Sequence, residues 1–270
     1  MRLSIDHRTL YRFSTPQSRL VQMLRMTPSD THDQTIAAWR IDIDCDARLK
    51  EARDGFGNKV TMLYAEGPIS AIEICVTGEV LTAPNAGVID GSTERFPPDL
   101  FLRSTPLTQA DAAMADFAQA AASGGSPLER LHALNRAVFD RFTLCLRRPV
   151  QGRTAAQAFA EERAPARDLA HIFIACARAI GAPARYVSGY SLSVGGGGQQ
   201  PTPHGWAEAH IPGLGWVAFD PGTGLCATQD YVRVSIGLDA AGAAPVAGSR
   251  LGDGNEELDV DISVDTISEG

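Results

Sequence analysis

At 270 residues the chain is long enough to bury a sizeable core in one large or two ordinary domains. Hydrophobic residues make up 44% and charged ones 21%, the balance of a globular rather than a disordered or fibrous chain. A net charge of -8 disfavours nucleic acid or an anionic membrane as the main partner, and no segment reaches the ~18 apolar residues of a membrane helix.

The opening stretch MRLSIDHRTLYRF alternates apolar and polar residues and reads as a strand rather than a targeting segment. Leu3, Ile5, Thr9, Tyr11 and Phe13 fall on one face, interrupted only by His7. Trp39, Ile41, Ile43 and Cys45 repeat the pattern, as do Ile72, Ile74, Val76 and Val80. Period two means one buried and one wet face, so residues 1 to about 82 are expected to form antiparallel β structure. Between two such runs, Asp54 to Asn58 (DGFGN) has turn chemistry. Proline-rich stretches then lead into helical periodicity. Thr108 with Asp111 is expected to cap one helix, Ser126-Pro127 with Glu129 a second, and Thr154 with Gln157 a short third.

Pro165 is expected to open a fourth helix, in which Leu169, Ile172, Phe173, Cys176, Ala177 and Ile180 form a buried stripe ended by Gly181. Three strands follow, ARYVSGYSLSV, HGWAEAHI and GWVAFD, the last two joined by the tight turn PGLG. The glycine run GGGGQQPTP does not lead from a strand into a helix, so it is read as a loop and not as a phosphate-binding turn. LDVDISV near the end is expected to be strand or acidic tail.

A helix amino terminus followed by strands bearing His204 and Asp220 is the layout of a thiol site. A thiol on the first turn of a helix gains from the positive end of the dipole. A facing histidine pairs with it, and an acid fixes the imidazole tautomer. His204 starts one strand and Asp220 ends its hairpin partner, so the two are expected side by side. RDLAHIFIACARAIGAPARYVSGY, HGWAEAHIPGLGWVAFDP and LCATQDYVRVSIGLDAAGAAPV, with the earlier LRMTP and DGFGN, resemble the bacterial transglutaminase-like family over nearly the whole chain.

The resemblance implies an α+β protein. An amino-terminal β-sandwich-like domain (1–100) would precede a transglutaminase/papain-like core with carboxy-terminal strands and acidic tail (101–270). It implies that His204 and Asp220 are the catalytic histidine and aspartate and that the cysteine position is Ala166. The family usually reads Gly-Val-Cys where this chain reads Ala164-Pro165-Ala166. Three changes together favour natural loss over an engineered single change. The expected function is therefore a protein that has lost its nucleophile but keeps a peptide- or amide-binding cleft. An active thiol amidohydrolase, protease or transglutaminase seen as a Cys-to-Ala variant is one alternative, and a non-catalytic scaffolding module is another.

The remaining candidates have plainer readings. Cys176 sits on the apolar stripe, ~15 Å along the helix from Ala166, and reads as core. Cys226 follows Asp220 in a loop, Cys45 and Cys75 belong to the β domain, and Cys145 follows a helix end, so none restores the triad. The five cysteines show no C-x-x-C spacing, which suits a reduced cytoplasm. His204 and His210 are ~20 Å apart along one strand, too far for one ion, and His171 reads as a buried, hydrogen-bonded side chain. Asp168 is expected to serve the helix dipole and its free N–H groups. Trp206 and Trp216 read as core or as walls of a groove. No cofactor and no metal are expected. The expected partner is a peptide or protein amide, with no nucleic acid and no membrane, and with a homo-oligomer or an active paralogue as further pairings.

Overall fold

A computed structural model describes residues 1–93, 95–192 and 200–267, and counts of elements refer to these described residues. Strands β1 (Arg2–Leu24), β2 (Gln34–Ile43), β3 (Ala47–Arg53) and β4 (Lys59–Thr82) come first. β1 and β4 pair along almost their whole length, with register shifts between Arg12 and Arg19 where both bend. Residues on either side of these shifts, Tyr11 and Ile72 before them and Leu20 and Leu63 after, share one buried core with Ile74. The period-two pattern of Ile72, Ile74, Val76 and Val80 is realised, since all four are fully buried. His7 does not interrupt the first strand's buried face but belongs to it. Its Nδ1 lies 2.9 Å from the Tyr190 hydroxyl and its Nε2 3.0 Å from Thr9 Oγ1.

The DGFGN turn forms as expected. Asp54 Oδ1 accepts from the N–H groups of Phe56 and Asn58, and Gly57 alone takes a positive φ, 89°. After β5 (Val88–Ile89) and a 3-10 turn (Pro98–Leu102), helix α1 spans Ala112–Ala121. Its cap is Asp111, whose side chain accepts from Met114 N–H, and not Thr108. Thr108 is buried instead, accepting from Arg178 Nη1 at 2.7 Å. α2 (Pro127–Arg141) and α3 (Ala155–Phe159) carry the expected capping boxes, Ser126 with Glu129 and Thr154 with Gln157.

Two-residue strands β6 (Thr143–Leu144) and β7 (Arg163–Ala164) pair in parallel just ahead of α4 (Ala166–Ala179). α4 is buried along Asp168 to Arg178. One face of a second antiparallel sheet covers it: Ala184, Tyr186, Ala207, Ala209, Ile211, Val217 and Phe219 join the helix stripe in one core. Each fully buried Leu, Ile or Phe there contributes about 1.5–3 kcal/mol. That sheet runs β11 (Leu225–Cys226), β10 (Gly215–Asp220), β9 (His204–Ile211), β8 (Ala184–Ser191), β12 (Tyr231–Gly237), with β5 added beside β10.

The carboxy-terminal strands correct the expected domain division. β13 (Val246–Leu251) and β14 (Glu256–Thr266) do not extend the second unit; both pair with β1, at Arg19–Leu24 and at Leu3–Phe13 respectively. The acidic tail is therefore an edge strand of the first sheet. Its inward residues Ile262 and Val264 are buried, while Glu257 and Asp259 face water. The period-two alternation of LDVDISV makes this possible. Of the predicted glycine-rich loop (195–203), residues 195–199 lie outside the described residues, while Gln200 bridges to Ile262. No helix among the described residues is long and apolar enough to cross a membrane.

Candidate active site

The β9–β10 hairpin brings His204 to Asp220. Its register sets Phe219 opposite Ala207. One residue further, Asp220 comes opposite Trp206, and His204 lies two residues along on the same face, within diagonal cross-strand reach. His204 Nε2 sits 2.7 Å from Asp220 Oδ2. Both side chains are buried, at 2% and 0% exposure.

Sequence reasoning assigned no role to two further groups on the carboxylate. The Tyr231 hydroxyl donates to Asp220 Oδ2 at 2.7 Å, and the Gly222 N–H donates to Oδ1 at 2.8 Å. Burial works to raise the Asp220 pKa, but the His204 ring and these hydrogen bonds outweigh it and hold the carboxyl below its ordinary value. Tyr231 lies in DYVRV, a stretch that carried the resemblance; only strand pairing shows that its side chain reaches Asp220. Trp206 backs the histidine, its ring stacked at 6.0 Å between centroids and 24° between planes, and Tyr231 packs against both, 5.8 Å from the His204 ring and edge-on to Trp206 at 5.3 Å. Trp206 is thus a buttress. Trp216 lies under the Arg185 guanidinium at 3.7 Å, and neither tryptophan lines the cavity at Ala166.

Ala166 is the first residue of α4, after Pro165 in extended conformation. It lines a small cavity of about 30 Å³ together with Cys145, Arg147, Gln200, Pro203 and His204. Such a space holds about one water. Position 166 thus opens on a recess that His204 also lines, and no side chain of the described residues fills it. Because Nε2 is committed to Asp220, Nδ1 is the ring nitrogen left for a group at position 166. The amino terminus of α4, His204 and its carboxylate partner Asp220 thus lie together, with the Ala166 methyl group on the first turn of the helix.

The other candidates sort as follows. Cys176 is fully buried and its thiol is pushed up to about 12 by burial, which makes it an inert core residue. Cys226 packs against Gly87 and is raised by burial. Cys75, raised to about 11 chiefly by burial, donates to Glu73. Cys145 departs from expectation, because it borders the Ala166 cavity, its backbone N–H bonded to Ala164 O at 3.0 Å. It lies off the helix terminus. His171 Nε2 accepts from Ala240 N–H at 2.9 Å, as a buried, hydrogen-bonded histidine should. Asp168 makes no side-chain cap to the helix; it pairs with Arg167 at 2.6 Å, and Arg153 stands at 3.8 Å. Burial raises its pKa nonetheless. No group of three metal-binding side chains occurs among the described residues.

Residues 3–81 match the model of the bacterial transglutaminase-like N-terminal region, and residues 115–221, which contain Ala166, His204 and Asp220, match that of the transglutaminase-like superfamily. The chain belongs to the transglutaminase-like superfamily. The chain is similar to an uncharacterized protein of Mycobacterium leprae, 24% identical over 281 residues and covering 99% of each chain. An uncharacterized protein of Mycobacterium tuberculosis is 25% identical over 292 residues, covering 98% of this chain and 92% of its own. A solved structure of a proposed cysteine protease from Cytophaga hutchinsonii superposes with a TM-score of 0.80 at 19% identity, over 100% of this chain and 92% of that one. That likeness shows a shared fold over the whole length of this chain.

Proposed function

We propose that this chain is a transglutaminase-like protein that has lost its thiol nucleophile and binds a peptide amide without turning it over. The observation that carries the reading is the cavity shared by Ala166 and His204, with His204 still oriented by Asp220. A methyl group cannot attack a carbonyl, so the acyl-enzyme of a thiol mechanism cannot form at position 166. An amide side chain or backbone carbonyl entering the recess would meet the amino terminus of α4, whose free N–H groups favour an electronegative oxygen. His204 Nδ1 would supply or accept the remaining hydrogen bond. Five free cysteines support a reducing compartment as the place of action.

Titration with N-acetylated, C-amidated tetrapeptides, including glutamine-containing ones, tests the reading. Saturable binding is expected with neither hydrolysis nor amine incorporation, and Ala166→Leu, which fills the recess, should weaken it at least ~10-fold, or 1.4 kcal/mol. Absence of binding would remove the peptide-binding reading. A second reading rests on Cys145 at the cavity's edge, namely a thiol enzyme with a displaced nucleophile. It requires turnover by the unaltered chain that disappears in Cys145→Ser.

A further inference from the structure

A second cavity, of about 380 Å³, lies where the β3–β4 turn meets β12, within the roughly 300–1,000 Å³ of small-molecule pockets. It shares no lining residue with the Ala166 recess. Four cations reach it from three parts of the chain: Arg53 and Lys59 flank the DGFGN turn, Arg95 comes from the segment between β5 and the 3-10 turn, and Arg233 from β12. Against them stands, among the described residues, one lining carboxylate, Asp30.

Arg233 is engaged by Glu208 at 2.6 Å. The other three are not neutralised. Arg53 donates to a backbone carbonyl, Gly57 O, at 2.7 Å. Neither it nor Lys59 nor Arg95 pairs with a carboxylate among the described residues. Convergence of like charges is unfavourable in any chain. In one of net charge -8, nothing about overall composition requires it.

The cavity is also held in shape. Asn58, 6% exposed, donates to Asp54 Oδ2 at 2.9 Å and to Ile236 O at 2.8 Å, and accepts from Ile236 N–H at 2.9 Å. The turn of the first sheet is thereby stapled to β12 of the second. Arg25 braces the same Asp54 at 2.7 Å. The cations therefore stand on a fixed floor, beside the hydroxyl-bearing residues Ser29 and Thr93.

We propose that this cavity binds the phosphoryl group of a small phosphorylated molecule. Two guanidinium forks, an ammonium and neighbouring hydroxyls offer more donors and more charge than a monocarboxylate can use, and they match a dianion with three terminal oxygens. The ligand would bridge the β3–β4 turn, the Arg95 segment and β12, tying the two sheets together. It would stabilise the chain by mass action whatever the fate of the Ala166 site.

Calorimetric titration with inorganic phosphate, glycerol phosphate and citrate on the full chain decides the matter. Saturable one-to-one binding of both phosphates is expected, weaker at high salt. It should weaken at least ~10-fold in Lys59→Ala and in Arg95→Ala and persist in Lys59→Arg. Both alanine variants remove exposed or half-buried side chains, so their thermal unfolding without phosphate should match the parent, and this separates lost binding from lost fold. Three results would overturn the proposal: no saturable phosphate binding, phosphate binding unchanged by both alanine substitutions, or tighter binding of citrate than of either phosphate.

Discussion

Replacing Glu208 with alanine is expected to cost about 3–5 kcal/mol of folding stability. Glu208 is fully buried between two arginines, accepting from Arg185 Nε at 2.6 Å and from Arg233 Nε at 2.6 Å. Burial disfavours its charge, yet Arg233 and Arg185 prevail and lower its pKa to about 2. Arg185 is itself 0% exposed, stacked over Trp216. Without Glu208 that guanidinium is a buried charge lacking its carboxylate, whereas the pair as a whole can be replaced by apolar residues at little cost. Urea denaturation should therefore show a severe loss in Glu208→Ala and substantial recovery in Glu208→Leu combined with Arg185→Met and Arg233→Met. Asp140→Ala, which breaks an exposed helical pair with Arg136, should change stability by no more than about 0.5 kcal/mol. A loss below 1 kcal/mol for Glu208→Ala would contradict this account of the β8–β9–β12 centre.

The second large effect is a loss of stability in mild acid. Burial lowers the pKa of both His7 and His171 from 6.5 to about 3. For His171 the geometry explains why the neutral form is required: Nε2 accepts from Ala240 N–H, so the ring's one proton sits on buried Nδ1, which has no hydrogen-bond partner among the described residues, and a second proton would have to be placed on Nε2 against that N–H. The sign follows from linkage. Each ring takes up a proton in the unfolded chain as pH falls below 6.5 but stays neutral in the folded chain until about 3. The unfolded state therefore binds more protons throughout that window, and stability falls as pH falls. At 1.36 kcal/mol per unit, lowering the pH from 6.5 to 5 costs about 2 kcal/mol per histidine, about 4 together. Asp220 and Glu208, both lowered below their ordinary values, add losses only at lower pH. Urea midpoints measured from pH 7 to 5 should fall steeply, and His171→Phe should halve the slope whatever its effect on absolute stability. A flat profile between pH 6.5 and 5 would rule this out.

Much of the site was legible because hairpins are local. PGLG between two alternating strands fixes a register, and that register alone puts His204 within reach of Asp220. The capping boxes at Ser126 and Thr154 were legible for the same reason, being four-residue devices. What escaped the sequence depends on contacts between distant segments. Tyr231 reaches Asp220 only because β12 pairs with β8 in the same sheet. Cys145 borders the Ala166 recess only because β6 and β7 pair in parallel. His7 looked like a flaw in a strand, since its partner Tyr190 is 183 residues away. That the carboxy-terminal strands pair with β1 is not readable from the sequence, because alternation specifies a half-buried strand but not which sheet accepts it.

The central claim is that the site is complete apart from its sulfur, and alkylation of Ala166→Cys tests it most directly. The variant and its His204→Ala derivative would be treated with iodoacetamide across pH, with the labelled residue mapped by mass. The account predicts rapid labelling at position 166 with an apparent pKa well below ~8.5, shifted upward when His204 is removed. An introduced thiol that titrates at or above ~8.5, or that does not respond to loss of His204, would mean that the helix terminus and the histidine no longer form one site.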